Sequence, residues 1–434
     1  MSVLFAILLF SMLIFVHELG HFLTAKLSGV QVNEFSMFMG PTLWSKKIGE
    51  TQYSVRLIPV GGYCAMEGDD EDSDNPRSFG RAAWWKRILI LAAGAAMNFL
   101  VGVLLMVIIY LPAKQAVVPV ISGFESFSTV NGADGLQVGD KILELDGEKI
   151  YVQSDFSMLL RLNPGETHDL VVLRDGQKVA LKDFRMETHT VTDDSGVTRQ
   201  LYGMNFTVES LNLPGKLQYA WNQSLDTVRL VRLSLQMLLS GKAGIGDMTG
   251  PVGIVQQMAV VADESASRLD ALMNMLYFGG FIAINLAVMN LLPIPALDGG
   301  RIVGVVITTA VEAATRKKIN PKYEGYLHGA GMILLMALMA VIMFKDIFML
   351  FRGYCYDKTD FSRRCAHRRR CPGGHPVHAQ HQNHGCGGKP SADSRSGGGR
   401  LSGCPAGSAQ SGGGQRLCGD LQGKPSASGC GYSL

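Results

Sequence analysis

The sequence predicts an α-helical polytopic membrane protein with four transmembrane helices and an inserted domain of short strands. Three observations predict it. Of the 434 residues, 47% are apolar and only 18% charged, against roughly 25% charged in an average soluble protein, and the mean hydropathy is positive at +0.16. Four stretches reach the about 20 apolar residues that a helix needs to cross a hydrocarbon layer about 30 Å thick. Between the second and the third lies a segment of strand-like alternation broken by Asp-Gly turns. The net charge of +3 is unevenly placed, because positions 355–434 hold 11 basic and 4 acidic side chains, leaving the body slightly acidic. No basic surface is left to attract nucleic acid, which excludes that class of partner.

The four spans are read at residues 3–23, 88–111, 272–292 and 327–344. The first lacks the basic start and small-residue cleavage site of a signal peptide, so it is expected to remain in the mature protein. Orientation follows from the basic residues beside the spans. Lys26, Lys46, Lys47, Arg56, Arg77, Arg81, Lys86 and Arg87 follow the first span, and Arg301, Arg316, Lys317, Lys318 and Lys322 follow the third. Both loops are expected in the cytoplasm, and residues 112–271 on the opposite side.

The organisation expected from these signals has five parts. Residues 1–111 hold the first two spans and the intervening hairpin loop. Residues 115–208 form the inserted domain, where Gly135-Leu136-Gln137-Val138-Gly139-Asp140, followed by a strand ending in Asp146-Gly147, resembles the signature of a PDZ domain. Domains of that kind bind extended peptides by adding a strand to a sheet edge. Residues 214–271 are a linker region with an amphipathic helix, lying on the membrane face or packed on the spans. Residues 272–352 hold the last two spans. The tail, 355–434, is rich in Gly, Ser, Arg and His, has no Ile, Met, Trp or Glu, and is expected to be disordered. Seven of the eight cysteines lie in it but form no Cys-x-x-Cys pair, and Cys64 is alone in the body.

The chemistry begins inside the first span with His17-Glu18-Leu19-Gly20-His21. Two histidines four residues apart share one helix face and can reach one zinc ion, with the glutamate beside them to handle a proton. Two imidazoles and a carboxylate within hydrocarbon are costly unless paired or ligated, so a chance match is a poor account of them. A hydrolytic zinc site takes three protein ligands and leaves one position open. The best third candidate is Asp298, just after the third span in Asn290-Leu291-Leu292-Pro293-Ile294-Pro295-Ala296-Leu297-Asp298-Gly299-Gly300. The two prolines break the helix, and broken backbone at membrane depth is tolerated where protein or a water-filled cavity receives it. Taken alone, Asp298 reads equally as the cap of the following helix.

The membrane-embedded His-Glu-x-x-His, the Asn-x-x-Pro-x-Pro-x-x-Asp-Gly-Gly run and the domain between them together resemble the site-2 protease family of intramembrane zinc metalloproteases, in its bacterial single-PDZ form. The resemblance covers about residues 1–352. It implies that His17, His21 and Asp298 bind zinc, that Glu18 is the general base, and that Asn290, Pro295 and Asn98 face substrate. It implies a multi-pass protein of the bacterial cell membrane, with the active site towards the cytoplasm. Its substrates would be single-span membrane proteins such as anti-sigma factors and remnant signal peptides, cleaved in regulated intramembrane proteolysis, with peptide C-termini bound at the PDZ-like domain.

Further matches lie outside the metal motifs. Residues 35–40, 49–54 and 56–63 resemble the family's membrane-associated β-hairpin, and 249–254 an element preceding the third span. Ala93-Gly94-Ala95-Ala96-Met97-Asn98 resembles a second-span motif, with Ala95 where proline is usual. Phe38-Met39-Gly40 stands where Gly-Phe-Gly is common. Two other readings compete, a membrane-tethered zincin with a glutamate as third ligand and a non-enzymatic PDZ adaptor. His168, His189 and His328 are read as solvent-facing or span-edge residues without a chemical role.

Overall fold

The computed structural model describes residues 2–368, apart from 70–72, 133–134, 164, 193–197, 245, 247, 266 and 317–321. Helices α1 (Ser2–Ser28) and α2 (Trp84–Tyr110) are joined by two long strands, β1 (Val32–Ile48) and β2 (Thr51–Met66), and a short 3-10 turn at Phe79–Arg81. The β region that follows contains β3 (Gln115–Phe124), β4 (Lys141–Leu145), β5 (Glu148–Lys149), helix α3 (Gln153–Leu162), β6 (Thr167–Arg174), β7 (Gln177–Arg185), β8 (His189–Thr192), β9 (Thr198–Leu201) and β10 (Met204–Ser210). Helices α4 (Leu213–Leu239), α5 (Pro251–Glu264), α6 (Arg268–Asn290), α7 (Asp298–Thr315) and α8 (Lys322–Arg368) complete the described chain. Four helical segments are long and apolar enough to cross a membrane: Phe5–Ser28, Trp84–Tyr110, Arg268–Asn290 and Gly325–Met349.

Each starts and ends a few residues from its expected position, because helical backbone continues through the polar residues that flank an apolar run. Ser267 begins α6 as an N-cap, its hydroxyl accepting from the Asp270 N–H at 3.1 Å. The first compact unit ends at Tyr354. Helix α8 runs on to Arg368. Residues 355–368 contain neither glycine nor proline, so nothing in them breaks a helix before Pro372-Gly373-Gly374. The remainder of the expected tail lies outside the described residues.

Strands β1 and β2 form more than a simple hairpin. Phe35, Ser36 and Met37 pair with Cys64, Tyr63 and Gly62, and the same three residues also pair with Tyr53, Ser54 and Val55. Trp44 to Ile48 pair in turn with Val55 to Thr51. Four passes of chain therefore share one sheet, ordered 42–48, 51–56, 32–37 and 61–66. Gly40 and Gly61 adopt φ of +87° and +80° at the bends between passes, a region glycine enters without a steric penalty. One face packs on α1 through a cluster of Phe15, Phe22, Phe35 and Tyr53.

In the inserted region the sheet order is β10-β3-β4-β6-β7, with β5 beside β4, and β8 and β9 form a separate pair. Alternate side chains of these strands, among them Ile121, Ile142, Leu145, Leu170, Val172 and Met204, are buried with Phe156 and Leu159 of α3. Burying each such side chain stabilises the fold by about 1.5–3 kcal/mol. Asp140 is buried beneath the sheet and receives Arg174 Nε at 2.8 Å, Arg174 Nη2 at 2.7 Å and the Gln137 N–H at 2.8 Å. Burial alone would raise its pKa, but the Arg174 bonds outweigh it and hold the carboxyl below its ordinary range.

Helix α4 joins this β region to the helices. Its Arg229 binds Asp155 of α3 at 2.8 Å and Asp226 at 2.7 Å, and its Arg232 binds Glu148 at 2.6 Å. On its other flank Tyr219 meets Tyr110 with ring centroids 4.9 Å apart, and Trp221 meets Phe99 at 6.1 Å. Of the two placements expected for this helix, it adopts packing against α2 and α6. Midway along α8, Asp346 caps α5 from a distance, accepting the Gly250 N–H at 2.9 Å and the Gly253 N–H at 3.0 Å. His168 departs from its expected solvent exposure: it is 3% exposed, with Nδ1 2.9 Å from Asp146 and Nε2 3.1 Å from the Gly165 carbonyl. Both ring nitrogens find partners within the fold, which is what permits its burial.

Candidate metal centre

Helix α1 carries His17 and His21 one turn apart, and both are buried. Their Nε2 atoms lie 3.1 Å from each other. From 277 residues further along the chain, Asp298 at the start of α7 places Oδ2 at 3.0 Å from His17 Nε2 and 3.5 Å from His21 Nε2. The three atoms belong to the one cluster of candidate metal ligands among the described residues. Ligands about 2.0–2.1 Å from a tetrahedral zinc stand about 3.3 Å apart, so this donor set fits that ion. Asp298 Oδ2 is buried with no hydrogen-bond donor of its own, as a carboxylate oxygen that serves a cation would be.

Groups behind the imidazoles set their orientation. His21 Nδ1 lies 2.9 Å from the Ile90 carbonyl of α2, which accepts the Nδ1 proton and leaves Nε2 unprotonated for a ligand. Asn98 and Asn290 approach His17 Nδ1 at 3.4 and 3.5 Å through their amide groups. Asn98 is 1% exposed and its Oδ1 is without a partner. A half-turn of that amide brings Oδ1 to the Nδ1 proton, satisfying both groups and again freeing Nε2.

The close approach of α2 depends on two glycines. A β-carbon on Gly94 would stand 2.4 Å from His21 Nε2 and 2.7 Å from His17 Cε1, and one on Gly20 would stand 2.4 Å from the Ala93 carbonyl oxygen. Any larger residue at either position would push the helices apart.

Asp298 reaches the centre because α6 stops. The helix ends at Asn290, the segment through Pro293, Pro295 and Ala296 turns the chain, and α7 begins at Asp298 itself. Arg301, one turn further on, forms an ion pair with Asp69 beyond β2 and lies over the Phe79 ring at 5.5 Å. The start of α7 is thereby tied to the loop that returns from the hairpin.

The hairpin brings backbone to the same place. The Ser11 hydroxyl of α1 lies within hydrogen-bond reach of two carbonyls, that of Ile7 at 2.8 Å and that of Pro59, and its one proton serves either. Ser11 precedes His17 by six residues, about 9 Å of helix rise, so the bend near Pro59 passes well beyond the level of the two histidines. A β-carbon on Gly62 would stand 3.7 Å from Glu18 Cγ, and the Cys64 N–H reaches the Glu18 carboxylate. The edge formed by residues 61–66 therefore runs alongside Glu18.

Of the residues singled out from the sequence, His17, His21 and Asp298 converge, Glu18 lies beside them, and Asn290 and Asn98 flank His17. Pro295 stands at the break before Asp298, half-buried. Asn98, for which the resemblance implied a substrate contact, is buried beside the His17 imidazole. Sequence reasoning missed Ser11, Ile90 and His328. A serine inside an apolar span and a histidine at a span edge are the only signals available for two of them. A backbone carbonyl leaves none.

The family model of peptidase family M50 matches residues 5–338. A Clostridium perfringens protein provisionally named a zinc metalloprotease is 35% identical over 352 residues, which cover 80% of this chain and 98% of that protein. The Bacillus subtilis regulator of sigma-W protease RasP is 26% identical over 435 residues, covering 81% of this chain and 99% of its own. The zinc metalloprotease RasP of Oceanobacillus iheyensis is 27% identical over 427 residues, covering 80% and 98%.

Proposed function

The chain belongs to peptidase family M50, and from that premise we propose that it hydrolyses peptide bonds within the transmembrane segments of single-span membrane proteins. It is a zinc metalloprotease. The observation that carries the finer reading is the convergence of His17, His21 and Asp298 beside Glu18 on a helix apolar enough to span the bilayer.

His17 Nε2, His21 Nε2 and Asp298 Oδ2 would hold the ion. When bound, zinc supplies Lewis acidity that makes a water nucleophilic near neutral pH and polarises a carbonyl. Glu18 accepts the proton of the attacking water and returns it to the leaving amine. The Ile90 carbonyl and Asn98 keep the two imidazoles in the ligating tautomer, and Asn290, half-buried beside His17, is left to meet substrate backbone.

An intact helix hides its carbonyls in internal hydrogen bonds, so a transmembrane substrate must open locally before cleavage. The edge at residues 61–66 offers replacement partners beside Glu18, which supports strand pairing with the opened segment. The β region at 115–208 is read as a PDZ-like domain that binds peptide C-termini or excludes bulky ectodomains. Basic residues after the first and third spans support a cytoplasmic active-site side and a β region on the opposite face. Membrane-anchored anti-sigma factors and remnant signal peptides are the substrate classes this reading favours, since one relative is named a regulator of sigma-W protease.

The test is zinc analysis of the purified chain together with cleavage of a single-span reporter, wild type against Glu18→Gln. The variant is expected to hold zinc and lose cleavage. Turnover at the wild-type rate would overturn the role of Glu18, and wild-type protein without stoichiometric zinc would overturn the whole reading.

A further inference from the structure

We propose that His328 is a positioning residue, which with Gly331 on the same face of α8 fixes the turn that delivers Asp298 to the metal. The proposal rests on the reading of the centre as a zinc site and goes beyond the ligand set. Between the end of α6 and the start of α7 the turn must supply partners for its own backbone. Pro293 and Pro295 have no N–H. Ile294 donates to the Leu292 carbonyl at 2.7 Å and Leu297 to the Ile294 carbonyl at 3.1 Å, both inside the turn. Ala296 has no such internal acceptor, and its N–H donates to His328 Nδ1 at 3.1 Å.

Ala296 is also the strained residue of the turn, with φ at +82°, where a β-carbon is disfavoured. Residues held in such conformations persist when their surroundings over-determine them. Here the surroundings are α8. One turn after His328, a β-carbon on Gly331 would stand 2.5 Å from Pro295 Cβ and 2.7 Å from its carbonyl oxygen, so the helix rests directly on the turn. His328 and Gly331 are three residues apart and share a face. Ala296 lies two residues before Asp298, too close for its backbone to relax without turning the carboxylate.

Three forms of the full-length chain, purified in detergent, test this: wild type, His328→Leu and His328→Asn. Asparagine keeps an acceptor at the position of Nδ1, whereas leucine removes it. Zinc release to a chromogenic chelator is timed, and kcat and KM are measured on a single-span reporter. The leucine variant is expected to release zinc at least about ten-fold faster and to lose about ten-fold in kcat with KM within two-fold, and the asparagine variant to recover to within about three-fold of wild type. Wild-type zinc retention in the leucine variant, or equal loss in both variants, would overturn the proposal while leaving the zinc reading intact. Absence of zinc from the wild type would instead remove the reading on which it rests.

Discussion

Gly94 of α2 lies directly against the His21 imidazole, so close that a β-carbon in its place would stand 2.4 Å from Nε2. The nitrogen proposed to ligate zinc is thus backed by bare backbone. Gly94→Ala is expected to displace one or both imidazoles, at an overpacking cost of about 1–3 kcal/mol, and to lower zinc content well below one per chain. Metal analysis of the purified variant checks it, and stoichiometric zinc would contradict the packing argument.

Asn98 is expected to act through His17. Replacing an outer partner of a ligating histidine lowers metal affinity by about 10–100-fold, so Asn98→Leu is expected to weaken zinc binding in a chelator competition. Unchanged zinc affinity with a raised KM would return Asn98 to the substrate-binding role suggested by its sequence motif.

Asp69 and Arg301 link the loop after the hairpin to the start of α7. Both side chains are partly exposed, so the pair contributes only about 1 kcal/mol to stability. Its effect is expected in turnover. Asp69→Asn and Arg301→Gln should each slow cleavage several-fold, and the exchange Asp69→Arg with Arg301→Asp should recover part of the loss. Additive losses in the exchanged form would show that the two residues act separately.

The β region carries an acid-sensitive contact. The Arg174 hydrogen bonds hold the Asp140 carboxyl below its usual range. A carboxylate whose pKa is lower folded than unfolded adds stability above its unfolded value, about 3.9. That contribution falls away as pH drops through the folded value. Melting of the β region, followed by near-ultraviolet circular dichroism, is expected to fall more steeply below about pH 4 in wild type than in Asp140→Asn. The variant should be less stable at pH 7 by about 1–3 kcal/mol, because Arg174 loses the carboxylate that accepts its Nε and Nη2 hydrogen bonds. Parallel pH profiles would contradict this.

Two spaced motifs and four apolar runs made most of the architecture legible. The hairpin was legible as strands but not as a sheet of four chain passes, because the pairing of residues 34–37 with both 52–55 and 62–65 is a long-range choice. Local alternation does not encode it. His168 and His328 illustrate the same limit, since whether a histidine faces water or a partner depends on what the fold brings to it. Asn98 lay within a legible motif, yet its burial beside His17 is set by the packing of α2 on α1, which that motif does not encode.

Sequence alone determined the membrane class, the imidazole pair with its neighbouring carboxylate and the helix break before Asp298, because hydrophobic length, helical period and proline act over a few residues. The tertiary structure decided which groups stand behind His17, His21 and Asp298: the Ile90 carbonyl, the amide of Asn98, the bare backbone of Gly94 and the ring of His328. Those contacts join segments far apart in the chain, and their energies depend on distances that no local pattern fixes.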